Sequence, residues 1–272
     1  MENDSPVIVN KKRSLVLSIL LSVITPGLGH LYNGNLRMAI VLPSLFIIIT
    51  NIIYQSSLIK SFIFLLFLVS FAVCFYLFVI IHASILSSRN KNYVLKTYNR
   101  VFIYVLWIIF FWGINEFIPT NDSIRTFSIP TFGMENTLMV DDFILVDMEY
   151  YENNNVKRND LIIFSDPEFP QNLIIKRVLG LGNERLSILN GIVSINGQPL
   201  QESNPNLRFE NDYLANFDEI IIPGDHFFVL GDNRPDSRDS RMFGPISKKS
   251  IKGKPLYIYF DNSFERIGLE IK

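Results

Sequence analysis

The chain has 272 residues, a formal net charge of −1 and a single cysteine, Cys74. That length allows one or two domains, the near-neutral net charge gives no case for nucleic acid, which would want a basic patch or stripe, and a lone cysteine excludes an intrachain disulfide. His30, His82 and His226 stand far apart without ligand spacing, so they read as structural or interfacial residues and no metal site is expected.

Residues 1–13 form a short tail ending in Lys11, Lys12 and Arg13, expected in the cytoplasm. Residues 14–118 are largely apolar and aromatic, and they read as a multi-span membrane region. Spanning a bilayer takes about 20 predominantly apolar residues. Met38–Tyr54 comes near that length and contains Pro43, which neighbouring helices can accommodate. Phe62–Leu86 and Val101–Ile118 are the other two candidates, with Tyr54, Tyr104, Trp107 and Trp112 available for aromatic belts. Leu15–Ile24 is shorter and runs into Pro26-Gly27-Leu28-Gly29 and a small polar loop at Asn33-Gly34-Asn35. A basic flank before an apolar run also fits a cleaved signal peptide, but no small-x-small site follows and further apolar runs do, so a retained segment is expected. The loop Ser87–Arg100 carries Arg89, Lys91, Lys96 and Arg100 and no acid, which predicts a cytoplasmic loop and an external chain after Pro119. Three spans satisfy this and the tail charges together, leaving Leu15–Ile24 re-entrant or interfacial; a fourth span would put the tail outside.

Residues 119–272 change character. Phe143–Val146, Leu161–Phe164, Phe227–Leu230 and Leu256–Phe260 are short apolar runs between turn residues, which predicts strands. Asn190-Gly191 separates Leu186–Leu189 from Ile192–Ile195, and Asn196-Gly197 follows; both dipeptides suit type I′ hairpin turns. Asn204–Asn216 is polar and expected to be a surface loop. The fold class expected is therefore a membrane α-helical N-terminal region followed by a mainly antiparallel β domain.

Within that domain Lys176 follows Leu173-Ile174-Ile175. A lysine in an apolar strand must reach water, find a partner or lose its proton, and desolvation lowers its pKa toward an amine able to act as a general base. A solvent-facing Lys176-Arg177 pair on a half-exposed strand is the plain alternative, since long basic side chains usually reach water.

Ser128-Ile129-Pro130-Thr131-Phe132-Gly133-Met134-Glu135-Asn136-Thr137-Leu138, Ile174–Leu181 and Gly231-Asp232-Asn233-Arg234-Pro235-Asp236-Ser237-Arg238-Asp239-Ser240-Arg241-Met242-Phe243-Gly244 change the balance. Together they resemble, in order, the active-site segments of type I signal peptidases, membrane-bound Ser/Lys-dyad proteases. Asp141-Asp142-Phe143 and Arg158-Asn159-Asp160-Leu161 resemble two further strand segments of that family, with Asp141 and Asn159 standing where it has glycine. Gly182-Asn183-Glu184 replaces Pro-Gly-Asp, and Asn136 replaces a common proline. The resemblance implies a signal peptidase I-like β fold in which Lys176 is the general base, Thr131 helps form the oxyanion hole and Ser237 orients the lysine amine. It further implies that Ser128, Ile129, Pro130 and Met134 bind substrate. Arg177 would pair with Asp239, and Asp232, Arg234, Asp239 and Arg241 would form a network holding their loop. Where the family places its nucleophilic serine, this chain has Gly133. The implied function is removal of signal peptides from exported preproteins at the outer membrane surface, with no cofactor, by an integral protein of a bacterial inner membrane whose C-terminal domain is extracytoplasmic. Its partners would be signal peptides and the lipid bilayer. Gly133 leaves three possibilities open: an inactivating change, attack by Thr131 or Ser128 instead, or a water activated by Lys176. A signal-peptide-binding or regulatory homologue without hydrolysis is the competing function.

Overall fold

The computed structural model describes residues 10–90, 93–114, 122–202 and 215–272. The chain divides into two compact units, Met1–Asn121 and Asp122–Lys272.

The first unit is helical, apart from a two-residue pairing of β1 (Asn10–Lys11) with β2 (Tyr93–Val94). Helix α1 (Leu15–Ile24) starts where the Ser14 hydroxyl accepts the amide of Leu17, and α2 (Leu28–Tyr32) follows across Pro26-Gly27. Gly27 has φ +87°, and a Cβ there would lie 2.3 Å from the Ala39 carbonyl oxygen, so only glycine fits the bend. The amide of Ser14 donates to the Tyr32 hydroxyl at 2.9 Å, so α1 and α2 form a hairpin whose two ends meet. Helices α3 (Leu36–Gln55) and α4 (Phe62–Arg89) are each long and apolar enough to cross a membrane, and each is mostly exposed. Low burial distinguishes them from the mostly buried core helix of a soluble protein. Helix α5 (Val101–Ile114) covers the first part of the third expected span, whose last residues lie outside the described ones.

Polar groups tie the hairpin to α4. Asn33 donates to the Ser18 hydroxyl and to the Ala83 carbonyl at 2.8 and 2.7 Å. His30 Nε2 and His82 Nδ1 are 2.8 Å apart, a pairing that sequence distance had hidden. The carbonyls ending α2 are capped from the far side of α4: Asn99 donates to Leu31 and Tyr32, Asn90 to Asn33, and the Tyr98 hydroxyl to Gly34.

The second unit is mainly antiparallel β. Its strands are β3 (Ile124–Ser128), β4 (Phe143–Asp147), β5 (Leu161–Ser165), β6 (Leu173–Gly180), β7 (Arg185–Leu189), β8 (Ile192–Ile195), β9 (Gln198–Pro199), β10 (Phe217–Ile221), β11 (His226–Leu230), β12 (Ile246–Ser247) and β13 (Ile251–Phe260). They form a seven-stranded sheet in the order β12-β11-β6-β5-β13-β4-β3 and a four-stranded sheet in the order β10-β7-β8-β9. The helical pieces α6 (Tyr150–Asn153) and α7 (Ser240–Phe243) are single turns. The apolar runs are strands because both faces of the large sheet are covered: Leu161 and Ile163 of β5 enter one core with Ile129, Met134 and Ile144, while Ile162 and Phe164 enter another with Val178 and Val229. Asn190-Gly191 and Asn196-Gly197 have positive φ at both positions, as type I′ turns require. Most of the polar stretch Asn204–Asn216 lies outside the described residues.

Asp141, Asn159 and Asn183 have φ of 67°, 71° and 69°. Asparagine and aspartate tolerate this left-handed region better than other residues with a side chain, and glycine tolerates it best. Replacing Asn159 by alanine should lower stability by about 1 kcal/mol, whereas Asn159→Gly should be neutral or stabilising. Thermal melting of the full chain checks this, with roughly 2–4 °C expected per kcal/mol in a domain of this size.

Candidate active site

The ladder between β3 and β4 continues to Ile129, whose amide donates to Asp142 and whose carbonyl accepts from Asp141. Pro130 brings no amide, so the chain leaves the ladder there and turns through a short 3-10 helix at Phe132–Met134. Strand β3 is the edge of its sheet. Strand β6 pairs with β5 along Leu173–Arg177, but β11 joins its other side only from Arg177 onward. Between the two stretches lies a groove of about 130 Å³, lined by Ser128, Ile129, Pro130, Thr131, Met134 and Leu173–Lys176, with Phe127 and Ile163 beneath. It offers extended backbone and alternating apolar walls, the geometry by which an edge captures a peptide strand.

Lys176 closes one end of this groove and is 6% exposed. Burial holds its pKa below the usual ammonium value; Asp239 and then Asp232 pull it upward, and Arg238 and Arg241 push it down. Burial prevails because both carboxylates are already engaged. Asp239 accepts from Nε and a terminal nitrogen of Arg241, both at 2.9 Å, and from the amide of Gly231 at 3.0 Å. Asp232 receives Arg177 through Nε at 2.8 Å and a terminal nitrogen at 2.7 Å.

That last pairing corrects one expectation: Arg177 binds Asp232, not Asp239. Strand alternation sends Arg177 away from Lys176, and there it meets Asp232, the Thr137 hydroxyl and the carbonyls of Asn159 and Lys272. Asp239 cannot serve it, because it caps α7 and is bound by Arg241. The loop network is also wider than expected. Arg241 donates to the Arg234 carbonyl, Arg234 to that of Gly231, and the ion-pair partner of Arg234 is Glu202.

Gly133 is buried, and its φ lies outside the left-handed region, so nothing in the backbone demands glycine. A Cβ built on it lies 2.8 Å from Lys176 Nζ, 3.3 Å from the Asp236 carbonyl oxygen and 3.9 Å from Ser237 Cα. The closest approach is to the movable end of the lysine, and the Asp236 backbone carbonyl would have to give by a few tenths of an ångström. The Ser237 hydroxyl is buried without a hydrogen-bond partner. Thr131 is exposed at the start of the 3-10 turn, and its side chain caps none of the turn's amides. The structure thus gathers Gly133, Lys176 and Ser237 at one point and places Ser128, Ile129, Pro130, Thr131 and Met134 along the adjoining groove.

Three contributors escaped the sequence reading. Asn233 binds the turn through its side chain to Phe132 O at 3.1 Å and its amide to Gly133 O at 3.3 Å. Thr137 donates to Asp232. Gly231 must lack a side chain, because a Cβ would lie 2.1 Å from the Ser237 hydroxyl and 2.4 Å from Gly133 O. Asn233 and Gly231 lie inside the matching segment, which was their available signal.

The family described as signal peptidase, peptidase S26, matches residues 96–260. This chain belongs to that family of serine peptidases. A signal peptidase I of Leptolyngbya laminosa is 38% identical over 143 residues, covering 48% of this chain and 68% of the relative. One from Aquifex aeolicus is 25% identical over 218 residues, covering 59% and 82%. Signal peptidase IB of Staphylococcus aureus is 29% identical over 152 residues, covering 51% and 78%. Against the family pattern, Asp141, Asn159 and Asn183 keep the left-handed backbone that glycine would supply. Asn136, at the common proline, has φ 80°, a value proline cannot adopt, so the turn after Met134 follows its own course.

Lys176 and Arg177 should respond oppositely to removal. Arg177→Met leaves Asp232 buried and unpaired and should cost about 3–5 kcal/mol. Lys176→Met should raise the thermal midpoint by a few °C at neutral pH. The sign follows from proton linkage: the unfolded chain holds the lysine proton more tightly than the folded one, so the penalty is complete below the depressed folded pKa and vanishes above the unfolded value. The gain over wild type should therefore shrink as pH rises through that window. Melting curves of both variants across pH check the pair.

Proposed function

We propose that this chain is a multi-pass membrane protein that takes the signal peptides of exported preproteins into the Lys176 groove, and that its peptide-bond hydrolysis lacks one part, the nucleophile at position 133. The observation that carries this is the 2.8 Å between a Cβ built on Gly133 and Lys176 Nζ. A serine there would bring its hydroxyl to a buried amine whose pKa is already lowered. The hydroxyl would attack the scissile carbonyl while Lys176 takes its proton; Lys176 would return that proton to the leaving amine, and water would release the acyl group. The buried Ser237 hydroxyl, free of other partners, would orient the amine, Thr131 would donate to the developing oxyanion, the Arg177–Asp232 pair ties the loop after β11 to β6, and the Arg241–Asp239 pair braces that loop. The mechanism requires no cofactor.

As the chain stands, Lys176 has no hydroxyl at position 133 to activate. Loss of the nucleophile in a serine protease costs on the order of 10⁶ in turnover, with subtilisin as the reference case. A second reading, a signal-peptide-binding or regulatory homologue that does not cut, is favoured by the same Gly133; the mass of a preprotein after incubation separates the two.

Gly133→Ser should create or greatly raise preprotein cleavage with binding little changed, and adding Lys176→Ala should abolish it. In Gly133→Ser, kcat/KM should rise with pH through the lowered Lys176 pKa and level off below 10.5, because only the neutral amine accepts the proton. Strong cleavage by the parent that Thr131→Val stops would instead mean that the nucleophile has moved. A folded, substrate-bound Gly133→Ser that remains inert would give the second reading precedence.

Orientation is part of the same proposal. The acid-free loop Ser87–Arg100 is cytoplasmic, α1 and α2 enter and leave on that side, and the chain after Pro119 is external. The meeting of the hairpin's ends supports this topology. In a Cys74→Ser background, an Asn92→Cys chain should resist an impermeant thiol reagent in intact cells and react after permeabilisation; labelling in intact cells would reverse the orientation.

A further inference from the structure

We propose that the end of the helical unit built from residues 10–14, 33–37, 89–90 and 93–100 is a binding face for anionic phospholipid headgroups. This rests on the reading that the unit lies in a bilayer. Between Asp4 and Glu116 the sequence contains no aspartate or glutamate. Of the described lysines and arginines in that stretch, only Lys60 lies in the turn between α3 and α4; the others fall on the segments that the structure brings together at the other end. The gathering is held by β1–β2 pairing and by the bonds from Ser14 to Tyr32, Asn90 to Asn33 and Tyr98 to Gly34.

Lys12, Arg37, Arg89, Lys96 and Arg100 are exposed there. The described residues of this unit include no carboxylate to match them. Arg13 sharpens the requirement. It is 6% exposed, its guanidinium lies 4.4 and 4.2 Å from the ring centres of Tyr32 and Tyr93, and its Nε and one terminal nitrogen are buried without an acceptor. The two rings fix a cation in place, and no described residue of the unit supplies an anion to match it.

Apolar side chains point to lipid rather than to a free anion. Leu36, Val94, Leu95 and Val101 are exposed among these cations. Water-soluble phosphate gains nothing from them, whereas a headgroup and its acyl chains satisfy both kinds of surface. Each Lys or Arg near an anionic membrane strengthens attachment by roughly fivefold, so three together are worth about a hundredfold.

The test uses the full-length chain in vesicles of phosphatidylcholine containing phosphatidylglycerol, with the lipids retained after gentle extraction identified by native mass spectrometry. Wild type should retain phosphatidylglycerol in preference. The triple variant Arg37→Gln, Arg89→Gln, Lys96→Gln, which alters exposed side chains only, should lose that preference by about a hundredfold while keeping its helical circular dichroism. Equal retention of the two lipids by wild type, or an unchanged ratio in the triple variant, overturns the inference. Displacement of the lipid by millimolar inorganic phosphate also overturns it, in favour of a simple anion site. Alkaline carbonate washing reads the embedding separately. Release of the chain sinks the membrane reading itself, whereas retention without lipid preference sinks only this inference.

Discussion

The second unit is organised around a buried amine. A lysine 6% exposed in an apolar strand is a standing cost, and the surroundings determine whether that cost yields a base or an ordinary ion pair. Here the two nearby carboxylates are each bound to an arginine, Asp232 to Arg177 and Asp239 to Arg241, so neither takes hold of Lys176. The arginines act twice: they neutralise the acids, and Arg241 with Arg238 presses on the lysine directly. The amine stays available because its neighbours are matched to one another.

That matching also fixes the geometry. Asp239 holds Gly231 by its amide, Arg234 holds Gly231 by its carbonyl, and Asn233 reaches across to Phe132 and Gly133. The loop after β11 is thus tied to the turn that carries position 133. A change at Gly231 or Asn233 would alter the distance between turn and lysine without touching either, so residues with no chemistry of their own set the alignment on which chemistry depends.

Much of this was legible in the sequence. Strand positions followed from apolar runs bounded by turns, and the hairpins from Asn-Gly dipeptides whose φ values are positive as expected. Lys176, Ser237 and Gly133 could be placed together because their segments occur in a recognisable order. The partner of Arg177 could not. Asp232 and Asp239 are seven positions apart in one loop, and only the single turn of α7, capped by Asp239, removes the latter from competition. The meeting of His30 with His82 escaped for a related reason: it depends on a hairpin bend at Pro26-Gly27, and periodicity carries no record of where a bent helix returns.

The capping of α2 has a consequence for how the protein is made. Its last carbonyls are satisfied by Asn90, Tyr98 and Asn99, which follow only after α3 and α4. At bacterial and eukaryotic synthesis rates of about 5–20 residues per second, the hairpin is translated several seconds before its acceptors can be filled. During that interval the Gly29, His30 and Leu31 carbonyls already hold the amides of Asn33, Asn35 and Gly34, whereas those of Tyr32, Asn33 and Gly34 still await their side-chain donors. The N-terminal third of the protein is therefore first in translation and late in completion.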